Sequence, residues 1–289
     1  MQKVKKAVVL LAGYGTRCLP FTKSLPKAMI PILNKPAIHY IVEEIENAGI
    51  EEVIFVLPKD CNGRIVKDYF SPNKTYEEFL AGRNKAKELD FLKNIKTKLK
   101  TIYVYTGKAN GSGGAILSAK KHLKNQPFLV LNGDDLFLDD GNTLKLLIEN
   151  YKKQGKTALT VKQVPDNLRG LYGIIEGKKK DGFYEVERMV EKPKGNEISG
   201  NLASIGRYVA SEEMIDILQN HTPVINGELS FSEGLVKLAS MGRLNAVETQ
   251  GERFDAGNTL EIVKANVHLA LKNAQFKENL TNFLTEELK

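Results

Sequence analysis

Short runs rich in valine, isoleucine and leucine alternate with amphipathic helical patterns through the first half of the chain, and this alternation constrains the fold more than any other feature. The predicted strands are Lys6–Ala12, Glu52–Pro58, Thr101–Thr106, Pro127–Asn132 and Thr157–Val164. The predicted helices are Ala37–Ala48, Gly63–Phe70, Tyr76–Asn94, Gly114–Leu123 and Thr143–Gln154. Strands that alternate with helices form βαβ units, whose strands lie in a mainly parallel sheet. An α/β protein is therefore expected.

The second half of the chain has a different pattern. Residues 172–193 predict two strands joined by a polar turn at Lys180–Gly182, and residues 200–210 predict a further strand. Helices are expected to begin near Ser211 and Gly227, and a long amphipathic helix follows the turn at 254–258. The tail from residue 275 suits one more helix, packed on the core or on another subunit. We find no internal repeat or linker, so one domain over residues 1–289 is expected.

Composition narrows the classes of partner and compartment. The formal net charge is +7, with both signs interspersed. Such a surplus suits phosphate-bearing ligands, and without a basic stripe interleaved with aromatic residues we expect no nucleic-acid partner. Cys18 and Cys61 are too few for a disulfide framework, which fits a reducing compartment. No apolar stretch approaches the ~20 residues of a membrane span, so a cytoplasmic protein without a membrane partner is expected.

The first predicted strand runs into a loop, Ala12–Pro31, that combines glycines, prolines and basic residues. A glycine turn after a strand suits phosphate binding, because backbone N–H groups attract anions. Cys18 stands where the third glycine of a dinucleotide fingerprint belongs, and no P-loop motif follows. The prolines stiffen a connection that carries Arg17, Lys23 and Lys27. Two interpretations remain: a loop that binds a polyphosphate, or a loop whose basic residues face solvent.

Acidic residues follow a predicted strand and precede a predicted helix. Asp134 and Asp135 come at the carboxyl end of a strand, the edge at which parallel sheets bind ligands. Asp255 stands just before the long C-terminal helix. Clustered aspartates can bind Mg²⁺ through oxygen ligands, and the alternative is that they cap turns or helices. Asp139 and Asp140 are expected to be solvated turn residues.

The segment AGYGTRCLPFTKSLPKAMIPILNKP, residues 12–36, resembles the signature of the sugar-nucleotide pyrophosphorylases: Gly-x-Gly-Thr-Arg, then x-Leu-Pro, then Pro-Lys. Matching motifs continue along the whole chain. They include the long helical insertion around Tyr76–Asn94, which uridylyl-transferring members have and the shorter thymidylyl-transferring relatives lack. The resemblance implies the nucleotide-diphospho-sugar transferase fold, a Rossmann-like, mainly parallel mixed sheet flanked by helices.

The resemblance also implies that the first half, about residues 1–150, binds a nucleotide. The backbone at the start of the glycine loop would meet the uracil. Arg17 and Lys27 would hold the triphosphate and the departing pyrophosphate, while Lys23 is equally a phosphate contact or a solvated surface lysine. The residues implied to bind the nucleotide are Ala12, Gly13, Gly15, Thr16, Thr106 and Gly111.

The implied sugar-binding half comprises about residues 151–258. Glu191 would accept hydrogen bonds from glucose hydroxyls and Lys192 would contact the sugar phosphate, although a Glu-Lys pair by itself is usually a surface ion pair. Gly173 would offer its backbone to the sugar, and Asn201 matches a strand that lines the site. The remaining residues, about 259–289, form a helical tail.

The implied reaction joins UTP and glucose 1-phosphate into UDP-glucose and pyrophosphate. Asp134 and Asp255 would bind Mg²⁺ on opposite sides of the site. Arg17 and Lys27 would stabilise the leaving group, and Lys192 would align the attacking phosphate. The family further implies a homodimer or homotetramer, for which the apolar stripe of the tail is a candidate interface.

Four positions depart from the family pattern. Ala28 replaces a glutamate, Thr106 a glutamine that contacts uracil, and Gly114 a histidine, while residues 227–233 read GELSFSE where Thr-Asp normally closes the motif. One hydroxyl cannot supply the paired contacts of an amide, so Thr106 leaves base selectivity open. The alternatives are another nucleotide such as dTTP, another sugar 1-phosphate, or a non-catalytic regulatory paralogue.

Overall fold

The computed structural model describes residues 2–95, 97–106, 111–123, 125–221 and 227–289, without the side chain of Cys61. The strands of these residues are β1 (Lys6–Leu10), β2 (Pro31–Ile32), β3 (Lys35–Pro36), β4 (Glu52–Pro58), β5 (Lys100–Thr106), β6 (Phe128–Asn132), β7 (Asp135–Phe137), β8 (Thr157–Gln163), β9 (Gly173–Lys180), β10 (Phe183–Glu191), β11 (Leu202–Ala210), β12 (Leu244–Glu248) and β13 (Arg253–Asp255). The helices are α1 (Ala37–Asn47), α2 (Cys61–Tyr69), α3 (Lys74–Gly82), α4 (Ala86–Asn94), α5 (Gly111–Ser118), α6 (Lys120–Leu123), α7 (Asn142–Gln154), α8 (Glu213–Asn220), α9 (Phe231–Ser240), α10 (Thr259–Lys272) and α11 (Lys277–Glu287). Within the described ranges, no helix is both long enough and apolar enough to cross a membrane.

Nine of the described strands form the main sheet, in the order β5-β4-β1-β6-β11-β8-β12-β10-β9. β4 and β6 flank β1 in parallel, and β5 continues the parallel set beside β4. β11 runs antiparallel to β6 and β8, and β10 runs antiparallel to β12 and β9. Because β8 and β12 are parallel, β10 and β11 alone oppose the common direction of this nine-stranded sheet. The predicted mainly parallel mixed sheet is confirmed.

Helices cover both faces of the main sheet. On β1, Ala7 and Val9 join the apolar cluster that includes α1 and α7, whereas Val8 joins the cluster that includes α5, α8 and α9. Successive strand residues point to opposite faces, so a strand buried on both sides is apolar throughout. All three side chains are fully buried. The continuous apolar runs of the sequence are therefore explained by a sheet enclosed between two helical layers.

The helical insertion differs from its prediction. The segment expected to form one helix, Tyr76–Asn94, forms α3 and α4. Between them Asn84 has a φ of 55°, and the Lys85 N–H bonds the Leu80 carbonyl at 3.0 Å. A left-handed asparagine with such a backward bond is a common way to end a helix. The prediction of one helix is wrong because apolar periodicity continues across the break.

In the second half of the chain, some observed element boundaries agree with the prediction and others differ from it. The hairpin β9–β10 turns at Asp181 and Gly182, as predicted. The helix expected near Gly227 begins instead at Phe231, because Ser230 forms a capping box at its start. The three-residue strands β7 and β13 were not predicted, because such short segments carry no clear periodicity. They are nevertheless the elements that assemble the site.

Candidate active site

A short antiparallel ribbon brings the two acidic segments together. β7 pairs with β13, with Asp135 opposite Asp255, just beyond the carboxyl end of β6. The Ala256 N–H donates to the Asp134 carbonyl at 2.7 Å, which extends the ribbon by one bond. The acids therefore meet at the edge of the parallel strands, where open α/β sheets bind ligands.

The carboxylates of Asp134 and Asp255 converge on one point. A Cβ atom built on Gly257 would lie 2.8 Å from Oδ1 of Asp255, 3.2 Å from Oδ2 of Asp134 and 2.7 Å from Nη2 of Arg17. The two acidic side chains are 17% and 22% exposed, so both are reachable but mostly covered. Two carboxylates that converge beside a guanidinium suit a cation bound together with a phosphate.

Each carboxylate also pairs with a basic residue of the glycine loop. The ammonium of Lys27 pairs with Asp134, and Nη1 of Arg17 lies 3.5 Å from Oδ2 of Asp255. Burial alone would raise the pKa of Asp134, but the charge and hydrogen bond of Lys27 hold that pKa below its usual range. Asp134 is therefore ionised at neutral pH.

Lys27 points inward, so the solvent-facing interpretation of the loop is wrong for this lysine, whereas Lys23 is exposed.

Local contacts fix the path of the glycine loop. Gly15 has a φ of +63°, and a Cβ there would lie 3.1 Å from Cβ of Lys27, so glycine lets the loop fold over that lysine. The Thr22 hydroxyl donates to the Gly15 carbonyl at 2.9 Å. Cys18 donates its thiol to the Ala256 carbonyl at 3.6 Å. The residue that breaks the dinucleotide fingerprint thus attaches the loop to the segment after β13.

Asp135 has a different role from its neighbour Asp134. Its carboxylate pairs with Arg253 and accepts a hydrogen bond from Nδ2 of Asn132 at 3.1 Å. It lies against Gly206, where φ is +82° and an added Cβ would come within 2.1 Å of Oδ2 of Asp135. Only glycine leaves room for this carboxylate against β11. Asp135 therefore anchors the ribbon, and Asp134 presents the reachable carboxylate.

Two neighbouring turn acids were expected to be solvated. Asp140 is exposed, as predicted. Asp139 is partly buried, and its Oδ2 accepts hydrogen bonds from the backbone N–H and the hydroxyl of Thr143, at 2.9 and 2.5 Å. The prediction is wrong for Asp139 because its carboxylate accepts a backbone N–H in the first turn of α7, which the turn sequence alone did not reveal.

Glu191 and Lys192 belong to the same cavity, at the end of β10. Glu191 pairs with Gly173 in the hairpin, and a Cβ on Gly173 would lie 2.8 Å from Oε2 of Glu191. Burial raises the pKa of Glu191, although Lys192 and the Ser232 hydroxyl oppose the rise. Lys192 has a φ of 49°, a left-handed conformation that costs about 1–3 kcal/mol in a non-glycine residue. Its N–H bonds the Tyr172 carbonyl at 2.9 Å, which holds that conformation.

A cavity of about 980 Å³ joins these groups. The residues implied by the family resemblance that line it are Arg17, Asp134, Gly173, Glu191, Lys192 and Asp255. The others lie outside its lining: Ala12, Gly13, Gly15, Thr16, Lys27, Thr106, Gly111 and Asn201. Lys27 reaches the wall through its ion pair with Asp134, and Gly111 adjoins the lining residue Ser112. Asn201 is exposed, and its carbonyl accepts the Val164 N–H at 3.1 Å.

Sequence reasoning missed some residues of the cavity wall. The Arg253 guanidinium lies 5.7 Å from the centroid of the Tyr172 ring and pairs with Asp135. It stands two residues before Asp255, and alternate residues of a strand share a face, but this was no usable signal because β13 itself was not predicted. Ser112 accepts the Phe231 N–H at 2.9 Å. No local pattern predicts that long-range bond.

The donor set fits one kind of metal site. Among the described residues, no group of three or more His, Cys, Asp or Glu side chains is placed to hold a metal ion. Asp134 and Asp255 supply two carboxylates that converge on one point. Mg²⁺ is commonly bound by one or two carboxylates together with substrate phosphates and water. The pair therefore fits a metal that is shared with a phosphate ligand and does not form a complete protein cage.

A glycine loop whose basic side chains face a pair of acids, at the edge of a Rossmann-like sheet, fits a nucleotidyl transferase. A model of the nucleotidyl transferase family matches residues 6–272, and the chain belongs to this family. The family resemblance expected from the sequence is thus confirmed. Members of this family generally use a divalent metal.

Individual relatives are similar to this chain over nearly its whole length. A UTP–glucose-1-phosphate uridylyltransferase from Staphylococcus epidermidis is 37% identical over 287 residues, 99% of each chain. The UTP-bound UGPase from Acinetobacter baumannii has a TM-score of 0.89 at 31% identity, over 98% of this chain and 99% of that one. A UDP-glucose pyrophosphorylase complexed with UDP-glucose has a TM-score of 0.82 at 34% identity, over 93% of this chain and 100% of that one.

Proposed function

We propose that this chain is a nucleotidyltransferase that forms UDP-glucose and pyrophosphate from UTP and glucose 1-phosphate. The observation that carries the proposal is that Asp134, Asp255 and Arg17 line the same cavity as Glu191 and Lys192. Relatives of similar length are uridylyltransferases, and solved relatives contain UTP or UDP-glucose. The two halves, about residues 1–150 and 151–258, would bind the nucleotide and the sugar phosphate respectively.

On the nucleotide side, we assign the phosphates to Arg17 and Lys27. Both groups already point at the acidic pair, so phosphates bound there would meet fixed positive charge. Arg17 and Lys27 would stabilise the departing pyrophosphate, because charge develops on the leaving oxygen during transfer. The backbone of Ala12 and Gly13, with the rest of the glycine loop, would pack against the base.

On the sugar side, Lys192 would align the attacking phosphate and Glu191 would accept hydrogen bonds from glucose hydroxyls. The phosphate oxygen of glucose 1-phosphate would attack the α-phosphorus of UTP, forming one P–O bond while the bond to pyrophosphate breaks. No protein nucleophile is needed, since positioning and charge neutralisation lower the barrier. Asp134 and Asp255 would hold Mg²⁺, which would supply positive charge shared by both substrates.

The first test is Mg²⁺-dependent pyrophosphate release with glucose 1-phosphate and each of UTP, dTTP, CTP, ATP and GTP. We expect a clear preference for UTP. A comparable or higher rate with another nucleotide would keep the mechanism but change the substrate. A folded protein that is silent with every nucleotide, and with other sugar 1-phosphates, would instead support a regulatory paralogue.

Thr106 gives a prediction about nucleotide choice. This residue is 2% exposed, and its hydroxyl donates to the Leu57 carbonyl at 3.3 Å. Because this hydroxyl is used within the sheet, we expect Thr106→Val to leave the ratio of kcat/KM for UTP over dTTP unchanged. The lost hydrogen bond should lower the free energy of unfolding by about 1 kcal/mol. Thr106→Ser, which keeps the hydroxyl, is the control. A changed ratio in the valine variant alone would show that the hydroxyl reads the base.

Glu191 gives a prediction about pH. Burial raises its pKa, so it gains a proton at a higher pH than an ordinary glutamate. A protonated carboxyl accepts hydrogen bonds from sugar hydroxyls less well, so the KM for glucose 1-phosphate should rise as pH falls through that raised pKa. Glu191→Gln imitates the neutral form. Its KM should exceed the wild-type value at neutral pH and converge with it in acid.

The ratio of the two KM values removes the titration of the sugar phosphate, which both proteins share. A ratio that stays constant across the pH range would exclude Glu191 as the titrating group.

We also propose that the enzyme is a homodimer or homotetramer in which the helical tail forms an interface. α11, which the structure describes throughout, buries none of its residues, and α10 leaves Leu260 and Val263 exposed. Phe283 and Leu288 of the tail are likewise exposed. Large apolar side chains on a short terminal helix suit a subunit contact. Phe283→Glu should lower the mass in sedimentation equilibrium if the tail is that interface, and an unchanged mass would exclude it.

A further inference from the structure

The side chain of Arg207 lies fully inside the protein, directly behind the acidic segment. It is 0% exposed, and its guanidinium pairs with Glu44 of α1, which is 2% exposed. Nε of Arg207 donates to Oε1 of Glu44 at 2.9 Å, and Nη2 donates to Oε2 at 2.7 Å. The Phe137 ring packs against the guanidinium, with 4.6 Å between Cζ and the ring centroid. Glu44 thus fixes the plane of the guanidinium.

The remaining donors of Arg207 hold the backbone on both sides of Asp134. Nη2 donates to the Asp135 carbonyl at 2.7 Å, and Nη1 donates to the Asn132 carbonyl at 3.3 Å. The turn that presents the Asp134 carboxylate is therefore held at its beginning and at its end by one planar group. The Ala256 N–H holds the Asp134 carbonyl itself.

The conformation of β11 explains why Arg207 reaches this place. The register of β11 with β8 shifts between Ser204 and Tyr208, and Gly206 within the shift has a φ of 82°. Such an irregularity redirects the side chains of a strand. Here it accompanies an arginine that points into the core towards α1, across the boundary between the two halves of the chain.

We propose that Arg207, oriented by Glu44, is a positioning residue that fixes the Asp134 carboxylate for metal-dependent nucleotidyl transfer. The inference rests on the proposed function only for the identity of the reaction. Arg207 does not line the cavity and touches no reacting group. It acts through the two carbonyls that flank Asp134, and changes to such outer contacts typically cost about 10- to 100-fold in metal affinity or activity.

The test separates positioning from folding. Replacing the ion pair by apolar residues of similar length, Glu44→Met with Arg207→Met, removes both buried charges together, and such replacements are often tolerated by the fold. We expect thermal unfolding close to that of the wild type, a kcat about 10- to 100-fold lower, and a Mg²⁺ concentration for half-maximal rate raised by a similar factor. The matched control is Lys178→Met with Glu187→Met, which removes an exposed ion pair of 2.7 Å. It should change neither quantity.

A second readout uses the metal alone. Binding of Mn²⁺, followed by the electron paramagnetic resonance of the free ion, should weaken in the Glu44–Arg207 double variant and not in the control. A folded double variant with wild-type kcat, Mg²⁺ dependence and Mn²⁺ affinity would overturn the proposal.

If the double variant does not fold, the single variant Arg207→Lys tests the positioning role instead. Lysine keeps a positive charge for Glu44 but cannot bond both carbonyls in one plane. A folded lysine variant with weakened Mn²⁺ binding supports the proposal, and one with wild-type metal binding and rate refutes it. Loss of Mn²⁺ binding in the variants, with a wild type that does not use UTP, would refute the proposed function and keep the positioning role.

Discussion

Asp255→Asn should lower kcat by about 10³-fold, which corresponds to ~4 kcal/mol of lost transition-state stabilisation. The substitution removes one of the two converging charges, and it leaves Arg17 without its carboxylate partner. Asparagine keeps an oxygen that can accept the Gly257 N–H, which Oδ1 of Asp255 accepts at 2.7 Å. The turn should therefore keep its shape. Single-turnover formation of UDP-glucose measures the loss directly.

The control for this loss is Asp140→Asn, because Asp140 is exposed and adopts a left-handed φ of 55° that asparagine tolerates. It should retain the wild-type rate. Lys192→Ala should also abolish turnover while the protein stays folded. Near-normal rates in both the Asp255 and Lys192 variants would contradict the assignment of these residues to the reaction.

Arg207→Met alone should lower the free energy of unfolding by about 3–5 kcal/mol, a large part of the ~5–15 kcal/mol that a typical protein has. The change leaves Glu44, 2% exposed, without its cation. It also removes the hydrogen bonds that Arg207 donates to the carbonyls of Asn132 and Asp135. Urea denaturation followed by circular dichroism gives the midpoint and the slope from which the loss is obtained.

The double variant Glu44→Met with Arg207→Met should recover most of this stability, because no unpaired charge remains buried. A double-mutant cycle then gives the coupling between the two residues. If the Arg207→Met variant is as stable as the wild type, the ion pair does not stabilise the packing of α1 against β11. Stability and catalysis would therefore separate in these two variants: the single variant loses both, and the double variant loses mainly the rate.

The fold was predictable from the sequence where burial is uniform. Apart from Lys6, Glu52 and Asn132 at their ends, β1, β4 and β6 are apolar because both faces are covered, so their positions follow directly from the local sequence pattern. The paired helices of the insertion were not predictable in detail. Their break depends on one left-handed residue, Asn84, and on a backbone bond to Leu80. Apolar periodicity contains no information about either.

The candidate site was predictable only where a residue stands in a recognisable motif. Asp134, Asp255 and Glu191 were found in this way, and they line one cavity. Arg207 and Glu44 were not found, because an arginine inside an apolar strand and a glutamate on an amphipathic helix have no local partner in sequence. Their pairing depends on the register of β11 and on the packing of α1. Such long-range contacts appear only once the sheet is assembled.

The position of Asp255, four residues before the first residue of α10, links the cavity to the surface that carries the tail helix. Asn258 caps that helix through the N–H groups of Leu260 and Glu261, and Glu261 lines the cavity. α10 has 14 residues, so at ~1.5 Å per residue it is a helix about 21 Å long. At its far end it carries the exposed tail helix α11. A neighbouring subunit bound to that tail would thus be one helix length from Asp255, and a tilt of α10 would move Asn258 and Asp255 together.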